Sequence, residues 1–339
     1  MEKIISSLDT QAWVDITHGS DIAAARRVGQ RMAQQQGFDD TRAGQLAIVI
    51  TETATNMLKH AGEGRMQLSY VHGGEARGID VLGIDRGPGI ANLGVALRDG
   101  VSSAGTAGTG LGALRRLSDQ FDAYAPRGKG AVFFMRLWAG TPPAPLHSGG
   151  VCLPLAGETE SGDGWAVARL RHGTALLMAD GLGHGPEAAK ASTAAIDTLA
   201  RQPGLNPAEQ IEACHIALRP TRGAALAVAL LDPAAGQMRF AGVGNIGACI
   251  VEGGTRRQLV SHNGIVGHNL RKVQEFTLPC GPGALVILAS DGLTTQWDLA
   301  QHAGLAACGP AVIAAVLLRD YARGRDDASV LVYHCPELA

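Results

Sequence analysis

The sequence predicts an α+β protein of two domains, the first alternating helix and strand, the second a strand-rich sheet sandwich flanked by helices. Three observations carry that prediction. The chain has 339 residues, too many for one average domain and enough for two that each bury a core. The apolar run AVFFMRLW (131–138) closes one pattern of elements and is followed by the breaker-rich AGTPPAPLHSGG (139–150). Pro142, Pro143 and Pro145 can continue neither a ladder nor a helix, so this stretch reads as a short, stiff linker. Beyond it the chain changes to short apolar runs of strand length. The expected division is a first domain over 1–139, a linker over 140–147 and a second domain over 148–339.

Each element has its own signal. Residues 21–36 read as a helix stopped at Gly37, and Asp39 or Asp40 as the cap of a second helix over 41–60 that ends before Gly62. Strands are expected at 65–71 and 79–84, then a glycine-rich segment and a helix near 111–119. In the second domain, strands are expected at 165–170, 174–179, 224–231, 237–241, 247–251, 284–290 and 328–333. Helices are expected between them at 186–201, 207–218 and 310–322.

Composition excludes several classes. Hydrophobic residues make up 46% and charged residues 18%, which is globular and not disordered. Net charge is −2, with 15 basic and 14 acidic residues up to position 139 and 14 basic and 17 acidic after it. Neither half carries the basic footprint of a nucleic-acid partner. No apolar stretch approaches the roughly 20 residues of a membrane span, and MEKIISSLDT does not read as a signal peptide. The six cysteines are scattered, with no CxxC pair, as expected of reduced thiols in the cytoplasm.

Two constellations carry chemistry. In the helix around ETATNMLKHA (52–61), Leu46, Val49, Ile50, Thr53 and Met57 form a core stripe. At about 100° per residue, Glu52, Asn56 and Lys59 share a second face. A carboxylate, an amide and an amine there suit either a Mg²⁺–phosphate site or a merely solvated helix face. Two later segments shift the balance towards the first. IDRGPGI (84–90) sets Asp85, Gly87 and Gly89 just past a strand, where backbone can approach a ligand closely. AGTAGTGLGALRR (104–116) sets Gly108, Thr109, Gly110 and Gly112 before a helix N-terminus, which favours phosphate.

In the second domain aspartates stand where apolar strands stop: Asp163 before 165–170, Asp180 after TALLMA, Asp291 after ALVILAS, and Asp326 and Asp327 before ASVLVY. Singly, each is an ordinary Asp-Gly turn. Together they suit a bound pair of divalent cations, and hard oxygen donors without a His or Cys set favour Mg²⁺ or Mn²⁺ over zinc.

The order E-x-x-x-N-x-x-K-H, D-x-G-x-G, G-T-G-L-G resembles the GHKL, or Bergerat-fold, ATPases, and within them the small switch and anti-sigma serine kinases of bacterial partner-switching systems, the RsbT type above all. The resemblance implies an α/β sandwich that binds ATP with Mg²⁺. It assigns Asn56 to the cation, Lys59 to phosphate, Glu52 to the catalytic base and Asp85 to the adenine amine. Gly87 and Gly89 would shape that pocket, while Gly108, Thr109, Gly110 and Gly112 would cover the phosphates. The segments SGDGW, MADGLGHG, ASDGL and GRDDASVLV resemble the SpoIIE/PPM-type protein phosphatases, whose fold is a β-sandwich flanked by helices and whose centre holds two Mn²⁺ or Mg²⁺ ions. By motif position Asp180 would bridge both ions, the Gly181 carbonyl would coordinate one, and Asp291 and Asp326 would complete the other. Asp163 would support the site directly or through water, Asp327 would stand behind the ligands, and His184 would position phosphate or stabilise its turn. Gly162 replaces a Glu of the larger members, so the second ion is expected to be held more weakly.

Together the resemblances imply a kinase and a phosphatase on one chain, acting on a Ser or Thr of a STAS-domain antagonist or scaffold. A sigma factor, or a downstream phosphatase or cyclase, would be a further partner, and a homodimer is expected by analogy with related kinases. The alternative is that the first domain is an ATP-gated anti-sigma or partner-binding module and only the phosphatase is catalytically important. No membrane or nucleic-acid partner is expected.

Overall fold

A computed structural model of the chain describes residues 3–8, 11–97 and 110–337. Contacts divide it into two compact units, Asp9–Pro145 and Leu146–Ala339, the second also containing Met1–Leu8. The amino terminus is therefore a correction to a first domain over 1–139. Strand β1 (Lys3–Ser6) pairs antiparallel with 166–169 of the second unit. Its four residues satisfy their backbone groups on a sheet edge more than 150 positions away in sequence.

The first unit runs β2 (Gln11–Ile16), α1 (Gly19–Gln36), α2 (Asp40–Asn56), β3 (Gly64–Gly73), β4 (Ala76–Asp85), α3 (Leu93–Ala96), α4 (Gly110–Leu117), β5 (Gln120–Tyr124) and β6 (Ala131–Trp138). Its sheet has the order β2-β3-β4-β6-β5, antiparallel throughout. Met66 and Leu68 of β3, Ile79 and Val81 of β4, and Phe133, Met135 and Leu137 of β6 recur every second residue and point at the helices. They form one core with Met32 of α1 and with Leu46, Val49, Ile50 and Met57 of the expected stripe, whose fifth member, Thr53, is also buried. Helix α1 stops at Gly37 in the left-handed region (φ 74°), and the Asp39 carboxylate caps α2 by accepting from Arg42 N.

One local departure bears on the site. The second helix is α-helical only to Asn56, and Met57–Ala61 forms a π-helical turn. Glu52 and Asn56, four apart on regular helix, do share a face. Lys59 sits in the wider turn, so the 100° spacing does not carry to it.

The second unit runs β7 (Ser148–Leu153), β8 (Asp163–Leu170), β9 (Gly173–Gly181), α5 (Pro186–Arg201), α6 (Pro207–Ala217), β10 (Ala224–Asp232), β11 (Gln237–Val243), β12 (Gly247–Glu252), β13 (Thr255–Gln258), β14 (Phe276–Pro279), β15 (Leu285–Ala289), α7 (Pro310–Tyr321) and β16 (Ala328–His334). Two sheets form, β1-β8-β9-β10-β11-β14 and β13-β12-β15-β16-β7. Helices α5 and α6 cover the first through Ala191, Ala195, Leu199, Ile211 and Cys214, packed on Ala166, Ala168, Leu177 and Leu226. Helix α7 covers the second along β7 and β16. The first unit is thus an α/β sandwich and the second a β-sandwich flanked by helices. Among the described residues no helix is long and apolar enough to cross a membrane.

Candidate active sites

In the first unit the site grows from the end of α2. Glu52 and Asn56 are half-buried on one face of the helix. The start of α4 lies over both: a Cβ added to Gly110 would stand 3.1 Å from Glu52 Oε2 and 3.7 Å from Asn56 Oδ1. Asn56 Nδ2 is buried without an acceptor among the described residues, which fits a side chain that serves a ligand. Lys59 is exposed beyond it.

Asp85 ends β4 and starts a turn stitched into place by backbone. Its Oδ1 accepts from Gly87 N at 2.8 Å and from Ala131 N at 3.1 Å, which fixes the carboxylate at the strand end. Two glycines here are obligatory. Gly87 leaves only 2.6 Å between an added Cβ and Ala61 Cβ, and Gly89 (φ 68°) leaves 2.1 Å to the Pro126 carbonyl oxygen. The turn therefore packs backbone to backbone against the end of the second helix and the 125–130 loop. Gly112 is buried within α4. Gly108 and Thr109 lie outside the described residues.

The second unit gathers its aspartates at one end of the sandwich. Asp163 and Asp180 are direct partners across β8 and β9, and each has a buried Oδ2 with no donor among the described residues. Burial and the neighbouring Asp180 hold the Asp163 carboxyl well above its ordinary pKa. Burial, then Asp291 and Asp326, push Asp180 up to about 7. Asp291 is raised by burial and by Asp326, against the opposing pull of Arg323. Gly292 brings the two loops together, since a Cβ there would meet the Asp327 carbonyl oxygen at 1.9 Å. At Gly181 an added Cβ would stand 2.3 Å from the Ala188 carbonyl oxygen, so glycine alone fits that strand end.

Asp327 stands behind this cluster, its two oxygens accepting from Leu155 N and Gly162 N, both at 2.7 Å. It ties down both ends of the loop that leads into Asp163. His184 Nδ1 pairs with Glu158 Oε1 of the same loop at 2.7 Å. Sequence reasoning missed Glu158, and also Asn245, whose Nδ2 donates to Asp291 Oδ2 at 2.6 Å. Asn245 looks like an ordinary turn residue between β11 and β12, and no local pattern marks it.

Among the described residues no three Asp, Glu, His or Cys side chains are gathered tightly enough to enclose an ion as they stand. The aspartates are neighbours through their charges, not a formed cage. Their chemistry still fits a hard divalent cation: the oxygens only accept, Asp163 Oδ2 and Asp180 Oδ2 are buried without a donor among the described residues, and the neighbouring carboxylates raise the pKa of Asp163, Asp180 and Asp291.

Comparison with known proteins follows the same division. The family described as histidine kinase-like ATPase domain matches residues 18–137, and that of stage II sporulation protein E (SpoIIE) matches residues 171–336. The serine/threonine-protein kinase RsbT of Bacillus subtilis (strain 168) is 32% identical over 131 residues, covering 39% of this chain and 98% of that protein. A structure described as "The bacterial stressosome: a modular system that has been adapted to control secondary messenger signaling" is 30% identical, covers 56% of this chain and 98% of its own, and superposes with a TM-score of 0.52. The PP2C phosphatase domain of SpoIIE from Bacillus subtilis, solved with a fragment of its regulatory domain, covers 94% of each chain at 18% identity and a TM-score of 0.50, a likeness of fold. By these matches the chain belongs to the RsbT-like kinase-type ATPases through its first unit, and its second unit matches the SpoIIE family over 171–336 and has the fold of a PPM-type phosphatase.

Proposed function

We propose that the chain is a bifunctional partner-switching regulator, an ATP-dependent protein serine/threonine kinase and a metal-dependent phosphoserine/phosphothreonine phosphatase. Its substrate would be a Ser or Thr of a STAS-domain antagonist or scaffold. The observation that supports this best is that each unit brings together groups suited to its own reaction, Glu52 and Asn56 under Gly110 in one, Asp163, Asp180, Asp291 and Asp326 as charged neighbours in the other.

In the kinase unit Asn56 would hold Mg²⁺ with ATP, and Asp85 would meet the adenine amine. Lys59, Gly108, Thr109 and Gly110 would surround the phosphates. Glu52 would take the hydroxyl proton of the substrate Ser or Thr as its oxygen attacks the γ-phosphorus and the bond to ADP breaks. In the phosphatase unit Asp180, the Gly181 carbonyl, Asp291 and Asp326 would hold two Mn²⁺ or Mg²⁺ ions, with Asp163 beside them. When bound, such ions supply the charge that neutralises a phosphate dianion and activates a water. The protein's own part is to orient those oxygens: Asn245 fixes Asp291, and Asp327 fixes the loop before Asp163. Phosphorylating the partner would add about −1.5 to −2 charges at its interface, and the second unit would remove them.

The test is label transfer from ATP to a STAS-domain protein. Wild-type chain should label it on Ser or Thr and Glu52→Gln should not. Absence of transfer by the wild type, with ATP still bound, would favour a partner-binding module instead.

A further inference from the structure

A cleft at the far end of the β-sandwich lies apart from both candidate active sites. Along β8, Trp165, Val167 and Arg169 alternate with Ala166 and Ala168. The alanines pack under the helices, whereas Trp165 lies against Gly150 of the other sheet. Alternation therefore sends Arg169 out at the open end of the sandwich on its inner side, and Arg171 follows in the turn between β8 and β9, where it lines the same cleft. Strand β8 is eight residues long, so this end lies about 20 Å from Asp163 at roughly 3.3 Å per residue.

A cleft of about 420 Å³ opens there, within the second unit alone. Arg169, Arg171, His147 and His172 line it, and none of its lining residues is an Asp or Glu. Neither arginine has an ion-pair partner among the described residues. His147 is half-buried, and burial, then Arg169 and His334, hold its imidazole below the ordinary pKa. Two guanidiniums thus line a cleft that has no carboxylate in its lining. One wall is apolar, from Ile5 of β1 and Val167, and the Tyr333 hydroxyl sits at the floor, 3.2 Å from Thr174 Oγ1.

We infer that this cleft binds a phosphorylated small molecule of nucleotide size. Two guanidiniums two residues apart suit bidentate contact with phosphate oxygens. The volume falls in the range of small-molecule pockets, roughly 300–1,000 Å³, and the apolar wall offers a surface for a ring. β1 gains a purpose by this reading, since its Ile5 completes that wall. The inference rests on this cleft alone and stands whether or not the proposed kinase and phosphatase activities hold.

Calorimetric titration of the full chain tests it. Asn56→Asp is introduced to weaken the nucleotide site of the first unit, and EDTA keeps the aspartate cluster free of metal. ADP, pyrophosphate and inorganic phosphate are the probes. The expected result is one saturable ADP site, at least tenfold tighter than inorganic phosphate, weakened at least tenfold by Arg169→Ser with Arg171→Ser. Arg169→Lys should weaken it less. Both arginines are exposed, so the melting temperature should not move, and hydrolysis of p-nitrophenyl phosphate with Mn²⁺ should be unchanged. No ADP binding up to millimolar concentration, or binding indifferent to both serine substitutions, overturns the inference. Phosphate binding as tightly as ADP overturns the nucleotide-sized ligand in favour of a simple anion site. Binding of poly-glutamate but not ADP, abolished by the same substitutions, overturns it in favour of an acidic protein.

Discussion

Asp163 and Asp180 face each other in register across the β8–β9 pair, each with a buried carboxylate oxygen that no described residue serves. Two adjacent strands would not bury opposed carboxylates for stability, because burial and like charge both disfavour ionisation. The arrangement costs the metal-free fold something, and that cost is measurable.

The sign follows from linkage. Asp180 is raised from 3.8 to about 7 in the folded chain, and Asp163 is raised too. The folded state then holds protons that the unfolded chain has lost, so stability falls as pH rises from about 4 towards 7 and is lowest above that. In EDTA the phosphatase unit should be more stable at pH 5.5 than at pH 8, by an amount on the order of a few kcal/mol. Saturating Mn²⁺ should restore stability at pH 8 by binding only the folded form. Thermal melts at both pH values, with and without metal, check this; an EDTA melting temperature that rises steadily with pH contradicts it.

Asp327 should matter through the backbone it holds. Asp327→Ala strands the Leu155 and Gly162 amides, an expected loss of about 2–4 kcal/mol by the cost of unsatisfied buried donors. Asp327→Asn keeps one acceptor oxygen and should lose less. Urea denaturation measures the difference, and equal losses from the two variants would count against the two-amide account.

Gly292→Ala should destabilise by more than about 2 kcal/mol, because its Cβ would meet backbone, which cannot swing away as a side chain can. Gly204→Ala, with nothing within 4 Å of the added carbon, is the control and should fall within about 0.5 kcal/mol of wild type. Similar melting temperatures for both variants would mean that the 291–293 and 326–328 segments are not locked together.

Kinase activity should depend on Glu52 and on the clearance above it. Glu52→Gln should lower label transfer at least ~100-fold, the scale of a general base, while ATP binding by fluorescence persists. Gly110→Ala adds a methyl 3.1 Å from Glu52 Oε2 and should lower transfer less. Undiminished transfer by Glu52→Gln would remove that residue from the reaction.

Local patterns made much of this legible. The α2 stripe, the Asp39 cap, the Gly37 stop and the strand-end aspartates are all written within a few residues, where periodicity and capping act. What escaped depends on distant partners. KIIS at 3–6 is too short to announce which sheet it joins. Asn245 becomes significant only because β11 and β12 deliver its turn beside Asp291. The π-helical turn at Met57–Ala61 breaks the helical spacing that would set Lys59 on the face of Glu52 and Asn56. Glycine-rich 104–109, conspicuous in sequence, lies among residues the structure does not describe.

The most direct test of two opposed chemistries on one chain is a time course of phosphate on a STAS-domain partner, with labelled ATP and Mn²⁺. With wild-type chain, label should rise and then fall as ATP is exhausted. With Asp180→Asn it should rise and stay, and with Glu52→Gln it should never appear. Loss of label from the partner at an undiminished rate with Asp180→Asn would contradict the account.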